Sequence, residues 1–289
     1  MVLNEQVSLQ VRPALPEDRQ AIANFIHFER YVHRHLGWRP PIDWLGEQPF
    51  LLAEENGMVQ AVLASPPDPP GVAWIHLFAV NAWNKMDFWW ERLWEAARAD
   101  LQNRAPLVCA ALTSQSWFRR LVAQSGFSVV EQVAMLALAL ESPPPQRVPQ
   151  GVRLRQMALD DLEAVCAVDN TAFELLWRQS CIVLEHAYRQ SAHATVAEAD
   201  GRIVGYQMST AVGPWGGHLA RLAVLPAYQG RGIGGALVRD VLNYFAREDI
   251  RHVTVNTQED NPASLHLYRS LGFHLTGEKI PMYALEMNG

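Results

Sequence analysis

A chain of 289 residues with a formal charge of −6 is longer than one hydrophobic core usually serves, so two domains are expected. Apolar residues make up 49% and charged residues 19%, which excludes wholesale disorder. The acidic balance excludes general nucleic-acid binding, which needs a basic face to neutralise phosphates. Met1 to Arg12 lacks the apolar centre of a signal peptide, and no apolar run approaches the ~18 residues of a spanning helix. The expectation is a cytoplasmic protein with no membrane association. Cys109, Cys166 and Cys181 are too few and too scattered for a disulfide framework or a zinc site, so reduced core thiols and no metal are expected.

The first half ends in a helical pattern and a break. Trp90, Leu93, Trp94, Ala97 and Leu101 keep helical spacing. At residues 142–151 (Ser-Pro-Pro-Pro-Gln-Arg-Val-Pro-Gln-Gly) the prolines fix φ and remove donors, so neither helix nor ladder can continue. That stretch is read as a linker between a first domain, 1–141, and a second, 152–289. The text on either side repeats. Val11 to Asp18 resembles Leu154 to Asp161, with Arg12 and Arg155 offset by 143 residues. Ala53 to Gly57 resembles Ala197 to Gly201 at an offset of 144, and Gln124 to Phe127 resembles Ser270 to Phe273 at 146. Three likenesses in one order and at nearly one offset point to an internal duplication.

Each copy reads as mixed α/β. In the second, a strand over 152–156 leads to a helix from Leu159 or Asp160, whose acidic start suits the helix dipole. Strands Thr195–Glu198 and Arg202–Thr210 flank the turn Asp200-Gly201 as a hairpin. His218 to Val224 is an apolar strand, followed by a glycine-rich turn and a helix with Ile233, Leu237, Val241 and Tyr244 on one face. Val253 and Val255 alternate in the next strand. Asn261 as N-cap, Pro262 in the first turn and Gly272 as C′ bracket a last helix.

The turn Gln229-Gly230-Arg231-Gly232-Ile233-Gly234-Gly235 carries the chemistry. Glycines between strand and helix let the backbone approach a ligand, and the free N–H groups of the helix start favour an anion such as a pyrophosphate. Gly230, Gly232 and Gly235 also satisfy the dinucleotide fingerprint. That fold wants its glycines directly after the first strand and an acid about 20 residues on, whereas here the motif lies late in its copy.

Leu222-Ala223-Val224-Leu225-Pro226 before Gln229-x-x-Gly232-x-Gly234 resembles the acetyl-CoA motif of the GNAT (Gcn5-related N-acetyltransferase) superfamily. Asn261 to Phe273 is similar to that superfamily's N-x-x-A-x-x-L-Y-x-x-x-G-F segment. The two-copy arrangement resembles mycothiol synthase and related members. The resemblance implies two tandem GNAT folds and an N-acetyltransferase that passes an acetyl group from acetyl-CoA to a small-molecule or peptide amine. By the same resemblance Leu222, Ala223 and Val224 would pair with the pantetheine amides, and Gln229, Gly230, Arg231, Gly232, Ile233, Gly234 and Gly235 would hold the pyrophosphate. Asn261 would cap its helix, contact the CoA arm, or do both. Tyr268 sits where the superfamily's tyrosine protonates the departing thiolate.

A protonated amine must lose a proton before it attacks, and His218 stands near the start of the strand where many members carry a glutamate. Strict alternation places His218 on the face of Ala220, Leu222 and Val224, which a bulge would upset. Glu198 is the second candidate, on a strand expected to lie alongside. Phe173, Trp177 and Arg178 would belong to the acceptor wall. The alternative to an enzyme is an acyl-CoA-binding sensor or scaffold. In the first copy Gln229, Gly230, Gly232 and Gly234 fall on Lys85, Met86, Phe88 and Trp90 at the offset of 144, and Tyr268 falls on Val122 at 146. That copy is expected to keep the fold and lack the cofactor site.

Overall fold

The computed structural model describes residues 8–104, 107–213 and 216–287. Its two compact units are Met1–Val130 with Pro281–Gly289, and Glu131–Ile280. The division therefore does not fall at the proline-rich stretch. Residues 142–151 belong to the second unit, where the Pro144 carbonyl accepts from Asn243 Nδ2 (2.9 Å) and Gln146 Nε2 donates to the Ala236 carbonyl (3.3 Å). Prolines remove donors but leave carbonyls, so a segment without regular structure is still fastened. Among the described residues no helix is long and apolar enough to cross a membrane.

The first unit contains β1 (Leu9–Pro13), α1 (Arg19–Phe28), β2 (Tyr31–Arg34), β3 (Phe50–Glu55), β4 (Met58–Ala64), β5 (Val72–Trp74), β6 (Leu77–Val80), α2 (Met86–Gln102), β7 (Leu107–Leu112) and α3 (Ser116–Gln124). Five strands form one sheet in the order β1-β3-β4-β6-β2. The expected face of α2 is buried, with Trp90 stacked on Trp94 (5.8 Å between centroids) and set edge-on to Phe78 and Phe118. The strand β8 (Ser128–Ala139) begins here and continues in the second unit.

In the second unit β9 (Val152–Gln156), α4 (Leu162–Ala172), α5 (Cys181–Gln190), β10 (His193–Ala199), β11 (Arg202–Ala211), β12 (Gly217–Val224), α6 (Ile233–Arg247), β13 (His252–Gln258) and α7 (Pro262–Ser270) follow in chain order. The strands run β9-β10-β11-β12-β13-β8, with β12 parallel to β13 and the rest antiparallel. The final strand, β14 (His274–Met287), returns to the first unit, where Met282 to Met287 pair with β7.

The two units share irregularities as well as elements. Both hairpins turn through an αL pair, Asn56-Gly57 (φ 53° and 75°) and Asp200-Gly201 (50° and 73°). Both β3 and β10 shift register just before a glutamate, at Ala53/Glu54 and Ala197/Glu198. Arg12 binds Glu54 through Nε (3.0 Å) and Asp18 through both Nη atoms (2.7 and 2.8 Å), and Arg155 repeats this with Glu198 (2.7 Å) and Asp161 (2.6 and 2.8 Å). The arginine hydrogen bonds hold Asp18 and Asp161 below the usual carboxylate range. Unrelated domains share helices and strands, but matched bulges and a matched ion triad need a common ancestor copy.

One cysteine expectation fails. Cys166 on α4 and Cys181 at the start of α5 are joined by a disulfide, fifteen residues apart in sequence. Only Cys109 is a free buried thiol, pushed up to about 12 by burial. The packing of α4 against α5 brings the two sulfurs together, and spacing along the chain does not disclose it.

Candidate functional site

The site is organised by β12. One edge pairs with β11 from Gly217 to Val224, with Met208 opposite Arg221 and Ser209 opposite Leu219, so Ala220 is an extra, bulged residue. The other edge pairs with β13 only from Gly217 to Leu219, and from there to Val224 it is open. The bulge overturns strict alternation. Gly217 and Leu219 face α6: a Cβ at Gly217 would meet the Phe245 ring at 2.6 Å, and Leu219 packs with Val241 and Phe245. After the bulge Leu222 and Val224 face α6, which leaves His218 and Arg221 on the opposite side. His218 Nδ1 lies 2.8 Å from Thr254 Oγ1, and burial lowers its pKa, so the ring is neutral at pH 7.

On that side Arg221 binds the buried Asp169 of α4 (Nε to Oδ2 2.8 Å, Nη2 to Oδ1 2.9 Å), and Asp169 also accepts from the Tyr206 hydroxyl. Arg221 further donates to the Trp177 carbonyl (2.5 Å) and stacks over Phe173 at 3.7 Å. An arginine inside an apolar strand was the available sequence signal for this network. A buried pair stripped of one partner leaves an uncompensated charge, so the segment after α4 is tied firmly to β12.

Beyond Val224 the chain makes a short 3₁₀ turn, Pro226–Tyr228, then Gln229 to Gly232, and α6 begins at Ile233. Gly232 is left-handed at φ 83°, a conformation that penalises any Cβ. Ala236 N–H is the donor that closes the first turn on the Gly232 carbonyl (3.0 Å), so by helix geometry the N–H groups before it point outward without an intrahelical acceptor. Gln229 Nε2 donates to the Val224 carbonyl (3.0 Å) and holds the turn against the strand end. The Tyr228 hydroxyl donates to Asp200 (2.8 Å), and Arg231 lies over the Tyr228 ring at 4.8 Å.

The open edge and the turn face a cleft of about 850 Å³. Leu222, Ala223, Val224, Gln229, Gly230, Gly232, Ile233, Gly234, Gly235 and Asn261 line it, with Glu131, Phe173, Glu174 and Trp177 on the other flank. Arg231, His218, Arg178 and Tyr268 do not line it. Asn261 Oδ1 accepts from Ser264 N–H (3.0 Å), the cap expected of it. Tyr268, 4% exposed, packs among Leu136, Val255 and Phe273, and burial raises its pKa, which keeps the phenol protonated. Glu198 is engaged by Arg155, and β11 separates its strand from β12, so it does not lie alongside as expected. Glu131 was not foreseen: it comes from β8, accepts from Trp177 Nε1 (2.8 Å), and burial raises its pKa.

In the first unit the 3₁₀ turn Trp83–Lys85 runs directly into α2 at Met86. The connection into the helix is thus shorter than the one that holds Gln229–Gly232, α2 is 17 residues long against 15 for α6, and Trp90 lies in the buried core of α2, outside any turn. The strand β6, matching β12, pairs with β4 on one edge and with β2 on the other, Tyr31 to Arg34 lying opposite Val80 to Leu77.

A family model, the acetyltransferase (GNAT) family, matches residues 158–273. An uncharacterized N-acetyltransferase of Methanocaldococcus jannaschii is 30% identical over 122 residues, 42% of this chain and 76% of the relative. The chain belongs to the GNAT family of acetyltransferases. It is 42% identical over 88 residues to N-alpha-acetyltransferase RimI of Mycobacterium tuberculosis, covering 29% of this chain and 54% of that one. It is 30% identical over 174 residues to the mycothiol acetyltransferase of Saccharomonospora viridis, 53% of this chain and 56% of that one. The chain thus spans about half the length of these last two relatives. A tandem GNAT protein from the clavulanic acid biosynthesis pathway has the same fold across 98% of this chain and 99% of its own, with a TM-score of 0.64 at 16% identity.

Proposed function

We propose that this protein is an N-acetyltransferase that uses acetyl-CoA and acts on an amine through the cleft of the second unit. The observation that carries this reading is the open edge of β12 beside the glycine turn. Unpaired strand amides and carbonyls suit the pantetheine amides as an added strand, and the outward N–H groups at the start of α6 suit a pyrophosphate. The glycines fit such a ligand: Gly230 and Gly232 line the cleft at positive φ (73° and 83°), where the backbone can approach a ligand without a Cβ between.

Acetyl-CoA supplies a thioester-activated acetyl group. The chain supplies position and proton transfer. The main-chain N–H groups near Ala223 support the developing oxyanion. His218, neutral through burial, is in the state that takes a proton, which from outside the cleft lining it would receive from the amine through water, and Tyr268, held protonated, is in the state that gives one to the departing sulfur. The positions of Tyr268, buried, and of His218 outside the cleft lining favour the second reading, an acyl-CoA sensor.

A mass-spectrometric screen of amines, amino-acid derivatives and short peptides with acetyl-CoA decides between the two. Transfer to at least one class, abolished by Gly232→Asp, is the expected result. Binding of acetyl-CoA without transfer to any amine supports the sensor, and no binding at all removes both readings.

A further inference from the structure

The disulfide closes a covalent loop from Cys166 to Cys181, and that loop contains Ala172, Phe173, Glu174 and Trp177, four residues of the cleft wall opposite the glycine turn. Non-covalent contacts also hold the wall residues to their surroundings. Arg221 reaches the Trp177 carbonyl and the Phe173 ring, Gln179 N–H donates to Asp169 Oδ1 (2.9 Å), Arg178 Nε donates to the Phe173 carbonyl (3.0 Å), and Trp177 Nε1 donates to Glu131. Cys166 lies within α4 and Cys181 begins α5, so the disulfide ties the body of α4 to the N-terminal end of α5 across this segment.

The two sulfurs differ in a way that matters for reduction. Cys166 is buried at 5% exposure, whereas Cys181 is exposed and is the first residue of α5, with Ser180 as its cap. Cys181 is therefore the sulfur open to attack by a reductant, and the helix N-terminus favours its thiolate when the mixed disulfide is resolved.

We propose that the Cys166–Cys181 bond positions the acceptor-side wall of the cleft, and that reduction by a dithiol frees that wall while leaving the acyl-donor half intact. The chemistry balances: a dithiol thiolate attacks the exposed Cys181 Sγ, Cys166 leaves as thiolate and is protonated, and the second thiol of the reductant resolves the mixed disulfide on Cys181. Two electrons pass to the protein sulfurs, which take up two protons, and the reductant ends as its own disulfide. The word acceptor rests on the function proposed above, but the positioning does not.

The test is hydrogen–deuterium exchange of the full chain, oxidised and then reduced with dithiothreitol, beside calorimetry with acetyl-CoA. Reduction should speed exchange at the amides of 173–180 by about tenfold or more, leave 232–236 unchanged and leave the acetyl-CoA Kd within about twofold. Cys181→Ser should behave as the reduced protein under both conditions. With the amine found by the screen, KM for the amine should rise at least about fivefold while kcat holds. Equal exchange at 173–180 in both states would overturn the proposal, and so would a parallel loss of acetyl-CoA affinity, which would mean the whole unit loosens. Oxidised protein that binds no acetyl-CoA would instead overturn the function, since exchange still reports on the wall.

Discussion

The strand β6 occupies the place of the C-terminal part of β12 in two copies of one fold, and the two part company at the second edge and at the turn that follows. In the second unit β12 leaves that edge open beyond Leu219, next to a glycine turn. In the first unit β2 lies along the corresponding edge of β6, and the turn has been shortened away. An open strand edge exposes donors and acceptors that must find partners in water or a ligand. A copy that no longer serves a ligand is more stable when its own chain fills the edge. We infer that the first unit keeps the fold as an aromatic-rich scaffold and that acyl-CoA binding belongs to the second.

Tyr268 on α7 and Val122 on α3 sharpen this comparison, because both are buried at matched positions, 4% and 0% exposed, and only one can give a proton. Tyr268→Phe should lower kcat about a hundredfold with little change in acetyl-CoA affinity, measured by steady-state kinetics and calorimetry. Turnover equal to the parent would leave Tyr268 as packing, like its counterpart.

The units should also part in acid. Burial pushes His33 down to about 3 and His35 to about 4 and holds His76 well below its ordinary value, with His33, His35 and Arg39 adding repulsion around His76. These groups are neutral in the folded state, while the unfolded chain takes up protons near pH 6.5, so stability is present above that pH and falls as pH drops from 6.5 toward 4. Each histidine that stays neutral should remove about 1.4 kcal/mol per pH unit in that window. Eight of the ten tryptophans lie in the first half, so denaturant melts followed by tryptophan fluorescence report mainly on that unit. A midpoint that does not move between pH 7 and pH 5 would contradict the prediction.

Much of the second unit was legible because its signals are local. The turn at Asp200-Gly201, the cap at Asn261 and the C′ glycine at 272 are dictated by backbone chemistry within a few residues, and each is found in place. The duplication was legible for the same reason, since Asp18 and Asp161 each stand six residues after their arginine within the repeated text. What escaped depends on contacts between distant segments. The bulge at Ala220 turns His218 to the other face, and no pattern along β12 announces it. The same holds for Cys166 meeting Cys181, for Glu131 entering the cleft from β8, and for β2 covering β6. Trp215 lies outside the described residues.

The central claim, that one open edge means one acyl-CoA site, is tested most directly by calorimetric titration of the full-length protein with acetyl-CoA. The predicted result is one site per chain, lost in Gly232→Asp while the variant stays folded, because a side chain at that left-handed position strains the turn and sets a carboxylate against the pyrophosphate. Two equivalent sites per chain, or binding that survives Gly232→Asp, would contradict it.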